Sequence, residues 1–255
     1  MGWQNSKLLK VNYLKKTFNL NINNKDALLI TDIQLDFLPG GTLPIKEGDQ
    51  LIPVLNEYIK IFQKANAPII ASRDWHPQNH MSFKAQGGPW SPHCVQNTEG
   101  ASFHPDLKLP EETIVVSKAT DPAKEAYSVF DGTDLADTLK TQGVVRVFVG
   151  GLATDYCVVN TVLDASKVGL AAVVLEDATR GINVEAGDVD KALAVMLKNG
   201  AEQVTLDDFL GPVTLPADED VEDVIADGPL SKVETKKKAR MRPKGAYKQI
   251  RRERS

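Results

Sequence analysis

The sequence predicts an α/β protein: a three-layer α/β/α body built on one six-stranded, mainly parallel sheet. Three observations carry that prediction. Short, continuously apolar, β-branched runs recur between Ala27 and Leu206, the pattern of strands covered on both faces. Longer amphipathic stretches separate them, and strands alternating with helices join through right-handed crossovers into a parallel sheet. Glycine stands just past three of those stretches, where a helix stops.

In chain order the expected strands are Ala27–Thr31, Pro68–Ser72, Thr113–Ser117, Val145–Val149, Ala171–Leu175 and Gln203–Leu206. The expected helices are Asp49–Lys64, Gly132–Thr141 stopped at Gly143, Asp155–Val168 stopped at Gly169, and Glu185–Lys198 stopped near Gly200. The stretch from Asp74 to Pro110 breaks the alternation: it is rich in Pro, Gly, His, Asn and Trp and holds no helical period. A loop of that length in a compact domain is functional or disordered. It carries all four histidines, His76, His80 and His93 followed by His104, which favours function.

The 255 residues, 42% hydrophobic and 25% charged, suit one large domain or two small ones and exclude a disordered, collagenous or disulfide-scaffold chain. No run approaches the ~18 apolar residues of a membrane helix. Two cysteines, Cys94 and Cys157, in a chain of this size point to a reducing compartment, hence a cytoplasmic location, with thiols kept for chemistry or packing. The net charge of −4 is unevenly spread: from Lys232 to Ser255, 11 basic residues face two acids, a net +9 that leaves −13 on everything before it. Six acids crowd between Asp218 and Asp227. Residues 213–255 are therefore expected to be a charged, disordered extension, 26–212 the folded domain, and 1–25 an arm packed on it. Lys236-Lys237-Lys238 and Arg251-Arg252 could neutralise phosphates or act as a nuclear address, but Tyr247 alone interleaves them, so base stacking lacks support. The tail's partner stays open. The opening Met1-Gly2-Trp3-Gln4-Asn5-Ser6 has the spacing of a myristoylation signal, which keeps a lipid-anchored pool open beside a nuclear one. The first 25 residues lack the unbroken apolar core of a secretory signal.

In an open α/β sheet, ligands bind beyond the carboxyl ends of the strands. Asp32 follows the first expected strand, Asp74 and His76 the second, Lys118 the third, and the run Gly150 to Cys157 the fourth. Asp177, after the fifth, reads as a loop brace. Cys157 falls at an expected helix start, where unpaired N–H groups and the helix dipole favour an anion and lower a thiol pKa. The Gly150-Gly151 turn lets the same backbone approach an oxyanion. A lone helical cysteine is ordinarily a small core residue. Asp32 and Lys118 on adjacent strand ends change that reading, the first as proton acceptor and the second as anchor for anionic groups. In Asp74-Trp75-His76, alternate residues of an extended segment face one way, so an oxygen and a nitrogen can meet one ion while His93 supplies a third donor. Three donors leave positions free for water or substrate, and zinc, iron and manganese all suit two histidines and a carboxylate. His80 is a fourth ligand or an outer partner, and Cys94 is read as packing.

The run Thr31-Asp32-Ile33-Gln34-Leu35-Asp36-Phe37, then Asp74-Trp75-His76-Pro77, Pro92-His93-Cys94, Lys118 and Gly151-Leu152-Ala153-Thr154-Asp155-Tyr156-Cys157-Val158, resembles the nicotinamidase/pyrazinamidase family of the isochorismatase-like hydrolases. The resemblance spans residues 26 to 210. It implies an isochorismatase-like, Rossmann-like fold and hydrolysis of the amide C–N bond of nicotinamide or pyrazinamide, within NAD salvage. It further implies a catalytic triad of Asp32, Lys118 and Cys157, and one divalent metal ion, zinc first with iron or manganese as alternatives, on Asp74, His76 and His93. Substrate-enclosing aromatics at Phe37, Trp90 and Tyr127 follow from it, as do a cis peptide before Ala153 and oxyanion contacts from the backbone of Ala153 and Cys157. Isochorismatases proper lack the cysteine, and carbamoyl and ureido amidohydrolases lack the metal triplet. A ureido- or carbamoyl-type amidase is the enzymatic alternative, and tail-mediated binding to nucleic acid or an acidic surface the non-enzymatic one. A homo-oligomer is compatible with the sequence.

Overall fold

The computed structural model describes residues 20–210, in which strands and helices alternate except between the second and third strands. They are β1 (Asp26–Thr31), α1 (Leu51–Lys64), β2 (Ile69–Asp74), β3 (Ile114–Lys118), α2 (Leu135–Thr141), β4 (Arg146–Leu152), α3 (Val159–Lys167), β5 (Ala171–Arg180), α4 (Asp188–Lys198), β6 (Glu202–Val204) and α5 (Asp207–Leu210). The expectations for residues 1–19 and 213–255 lie outside the described residues.

The six strands form one sheet in the order β3-β2-β1-β4-β5-β6, with every pairing parallel. The predicted mainly parallel sheet is thus wholly parallel. β1 is buried along its whole length, as its continuous apolar run requires. Its alternate residues feed two separate cores. Leu28 and Ile30 pack with Phe148, Val173 and Leu175 against Leu51, Leu55, Tyr58 and Phe62 of α1. Ala27 and Leu29 pack with Val147, Val149 and Val174 against Leu135 and Leu139 of α2, Val162 and Ala165 of α3 and Met196 of α4. Helices therefore cover both faces, and the three-layer expectation holds. Among the described residues, no helix is long and apolar enough to cross a membrane.

Several boundaries differ from expectation for local reasons. β5 runs on to Arg180, past the polar Glu176 and Asp177 where an apolar count stops, because Thr179 and Arg180 pair with Gly151 and Leu152 after a register shift in β4. The Gly150-Gly151 pair thereby belongs to a strand, not to a turn after it. Asp177 is a brace as read: it accepts the Tyr58 hydroxyl at 2.8 Å and the Leu206 amide at 2.9 Å. The helix expected from Asp155 begins as a π-helical turn over Thr154–Val158, since the Ala153 carbonyl accepts the amide of Val158, five residues on. Gly143, Gly169 and Gly200, read as stop signals, take φ of +73°, +87° and +89°. The loop from Asp74 to Pro110 has only short 3-10 turns and is stitched down by bridges between His76 and Val95, Phe83 and Trp90, and Gln34 and Phe103.

The strand order reverses between β1 and β4, the point at which an open parallel sheet leaves a crevice beyond its carboxyl ends. Register brings the right residues to its rim: Thr31 pairs with both Ser72 and Gly151, and Asp74 pairs with Lys118.

Candidate active site

Asp32, Lys118 and Cys157, far apart in sequence, meet in this crevice. Asp32 leaves β1 with φ of +51°, a left-handed conformation that aspartate tolerates better than most residues, which turns its side chain under the neighbouring strand ends. Ser72 Oγ donates to Asp32 Oδ1 at 2.7 Å, and Asp32 Oδ2 meets Lys118 Nζ at 2.9 Å. That second oxygen receives no well-directed hydrogen bond, so its contact with Lys118 is an ion pair rather than a bond along the lone pair. The Lys118 ammonium also donates to Asp74 Oδ1 and, at 3.3 Å, to Cys157 Sγ. One Asp32 oxygen, one Asp74 oxygen and the sulfur lie within 4.8 Å of one another. Gly151 makes the approach feasible: at φ +112°, a Cβ there would collide with the backbone of Thr31.

Burial dominates the electrostatics. It pushes Asp32 above the usual carboxylate range, against the pull of Lys118 and with the help of Asp74. Burial also acts to lower the Lys118 ammonium, but Asp32, Asp74 and Cys157 together reverse it, and the lysine is held charged well above its ordinary value. The expected depression of the Cys157 pKa is overturned. Desolvation lifts the thiol well above its ordinary value, the two carboxylates add to the lift, and Lys118 only offsets part of it. Cys157 thus rests as a thiol beside a proton acceptor.

The second group shares Asp74 with the first. Asp74, His76 and His93 are buried and offer donor atoms within 4.8 Å of one another. His76 Nδ1 lies 3.1 Å from the His93 carbonyl and His93 Nδ1 lies 2.7 Å from the Ser91 carbonyl. A carbonyl only accepts, so each Nδ1 carries the proton and each Nε2 keeps its lone pair. Burial pushes His76 down to about 4, so it is neutral and ligand-competent at pH 7. Asp74 is held below the usual carboxylate range because Lys118, His76 and His93 outweigh its burial. Its Oδ1 takes the ammonium and its second oxygen is left for an ion. The donor set fits a divalent cation with open positions. His80 is an outer partner rather than a fourth ligand: its Nε2 donates to the Lys124 carbonyl at 3.0 Å, its Nδ1 accepts from Ser82 Oγ at 2.7 Å, and its ring lies 4.4 Å from that of His76. Cys94 is a buried free thiol, as its packing role requires.

Of the three expected aromatics, two come together. Trp90 Nε1 donates to Tyr127 Oη at 3.3 Å, and Tyr156 joins both rings, with centroids at 5.3 Å from Trp90 and 5.5 Å from Tyr127. Phe37 instead packs on His93 at 5.4 Å. Ala153 is buried at the Cys157 turn and follows a cis Leu152–Ala153 peptide, as the resemblance implied. Sequence reasoning missed Ser72, Tyr156, Gln34 and Asp36. Tyr156 had a signal, its place beside Cys157, whereas Ser72 reads as an ordinary strand residue until the β1–β2 register is known.

An isochorismatase-domain model matches residues 26–208. The nicotinamidase of Escherichia coli (strain K12) is 39% identical over 204 residues, covering 72% of this chain and 96% of its own. Among solved structures, the pyrazinamidase of Pyrococcus horikoshii in complex with zinc superposes with a TM-score of 0.68 at 51% identity, covering 71% of this chain and 99% of its own. PnC1 from L. infantum in complex with nicotinate gives 0.67 at 36% identity over 73% and 96%. A domain match over most of the chain and a motif set that folds into one crevice agree: the chain belongs to the isochorismatase family.

Proposed function

We propose that the chain hydrolyses nicotinamide to nicotinate and ammonia through a thioester on Cys157, and that it accepts pyrazinamide at the same site. The observation that carries the reading is a single buried ammonium, Lys118, in contact with Asp32, Asp74 and the Cys157 sulfur, beside donors preset for a metal on Asp74, His76 and His93. Relatives of this fold that take zinc and nicotinate support it.

Cys157 enters as a thiol. As its sulfur attacks the amide carbon, the proton passes to Asp32, whose raised pKa makes it a better acceptor than a solvated carboxylate. The carbonyl oxygen becomes an oxyanion, assigned to the backbone N–H groups of Ala153 and Cys157. Collapse breaks the C–N bond, Asp32 returns its proton to the leaving nitrogen, and ammonia departs from a thioester. Asp32 then takes a proton from water as the water oxygen attacks the thioester carbon. The sulfur leaves and recovers that proton, and nicotinate is released. Lys118 fixes Asp32 and faces the sulfur as negative charge develops there. Phe37, Trp90 and Tyr127 enclose the ring, with Tyr156 completing the aromatic wall. Asp74, His76 and His93 would hold a divalent ion, zinc first with iron or manganese also suited to the donors, which when bound supplies a Lewis-acidic contact for a ring nitrogen. The product is one that NAD salvage consumes, and a cytoplasmic enzyme of that route is the cellular reading.

Ammonia release from nicotinamide, pyrazinamide and ureido substrates by the zinc-loaded protein tests this. Turnover of the first two, lost on chelation and restored by zinc, is expected. Inactivity on nicotinamide with metal loaded overturns the reading, and turnover of the ureido substrates alone transfers the site to the other amidases.

A further inference from the structure

The segment leaving β1 carries more than the proton acceptor. We infer that Gln34 and Asp36 are positioning residues that lock the metal-ligand set to the segment bearing Asp32, an inference that rests on the metal-assisted amidase reading above. Asp32, Gln34 and Asp36 are alternate residues, and each reaches across to a different part of the site. β1 ends at Thr31, opposite Ser72, while β2 runs two residues further to Asp74, so the peptide groups of Asp74 that face β1 have no strand beside them.

The Gln34 side chain takes the place of that strand. Its Oε1 accepts the Asp74 N–H at 2.8 Å, and its Nε2 donates to the Asp74 carbonyl at 2.8 Å and to the Ala101 carbonyl at 2.9 Å. Both polar groups of one ligand residue are gripped by one fully buried amide. On the other side, β3 pairs with the same residue through Lys118. The metal ligand is therefore clamped between the lysine-bearing strand and the segment of the base.

Asp36 performs the matching task for the histidines. Its Oδ2 accepts the Cys94 N–H at 2.7 Å, directly after His93, and its Oδ1 accepts the Thr42 N–H at 3.3 Å. The Cys94 carbonyl in turn accepts the His76 N–H at 3.0 Å, so one carboxylate fixes the loop that carries both histidines. Gly100 leaves the space it fills, since a Cβ there would overlap the Asp36 carboxylate. Gln34 and Asp36 touch no donor atom of the ligand set and act through the backbone.

Zinc affinity of the metal-stripped full chain, measured by competition with a chromophoric chelator, and the visible spectrum of the cobalt-loaded protein test the role. Gln34→Met and Asp36→Ala are expected to weaken zinc binding by about 10- to 100-fold and to shift the cobalt bands. Asp36→Asn, which keeps an acceptor oxygen for Cys94, is expected to recover most of the affinity. Tyr58→Phe, which removes a buried hydrogen bond to Asp177 away from the site, is the control for lost stability alone and should bind zinc as the wild type does. Folded Gln34→Met or Asp36→Ala protein with wild-type affinity and cobalt spectrum overturns the inference. So does a Tyr58→Phe loss equal to theirs. If Gln34→Met does not fold, the Asp36→Ala and Asp36→Asn pair decides. Wild-type zinc affinity in His76→Ala and His93→Ala overturns instead the metal reading beneath it, and the two failures are thus distinct.

Discussion

Lys118 holds the site together electrostatically. Its ammonium is fully buried and touches two carboxylates and a thiol, an arrangement in which removing the cation is far costlier than the net worth of the pairs. Lys118→Met should therefore lower stability by about 3–5 kcal/mol in urea denaturation and eliminate turnover. Wild-type stability in that variant would show that the carboxylates are relieved by other groups. The cysteine makes a second prediction. Because burial keeps Cys157 protonated until attack, the thiol should resist alkylation by iodoacetamide at neutral pH in the absence of substrate, yet quenching a reaction during turnover should leave a nicotinoyl thioester on the peptide containing Cys157. Mass spectrometry of that peptide checks it, and an unmodified peptide from a rapidly turning-over sample contradicts the covalent route.

At the scale of elements, the site depends on where strands stop. β2 and β3 end on Asp74 and Lys118, and β4 pairs with β1 two residues past its apolar run, through Gly150 and Gly151, which presses Gly151 against Thr31. Gly151→Ala should cost about 1–3 kcal/mol from its backbone conformation alone, with the collision at Thr31 adding to it, and should reduce turnover by displacing the Cys157 turn. A thermal melt and an ammonia assay on the variant check both parts. The strand and helix sequence was legible because continuous β-branched runs and glycine stops are local signals. So were Asp32, Asp74, His76, Lys118 and Cys157, because the residue at a strand end needs no long-range knowledge. What was not legible depends on register or on desolvation. The Gln34 clamp joins residues 40 apart, and the Ser72 bond to Asp32 spans the same separation. The thiol pKa reversed sign because a helix start argues for an anion, whereas the depth of the crevice, invisible in sequence, argues against one. The late end of β5 was hidden by Glu176 and Asp177, which the structure satisfies with a solvent-facing position and a brace to Tyr58.

For the whole molecule, the sheet order places the reversal between β1 and β4, and the groups assigned to chemistry gather at that one crevice. They lie between Asp32 and Cys157, so a chain ending at residue 212 should keep ammonia release within about two-fold of the full chain. A collapse of turnover would assign the charged C-terminal residues to the catalytic body or its assembly. The six acids between Asp218 and Asp227 and the net +9 from Lys232 to Ser255 lie outside the described residues. The most direct test of the central claim, covalent amide hydrolysis by Asp32, Lys118 and Cys157, is ammonia release from nicotinamide by zinc-loaded wild type and Cys157→Ala side by side. Turnover in the wild type and a loss of at least ~10³-fold in the variant are expected. Comparable ammonia release from Cys157→Ala would contradict that claim.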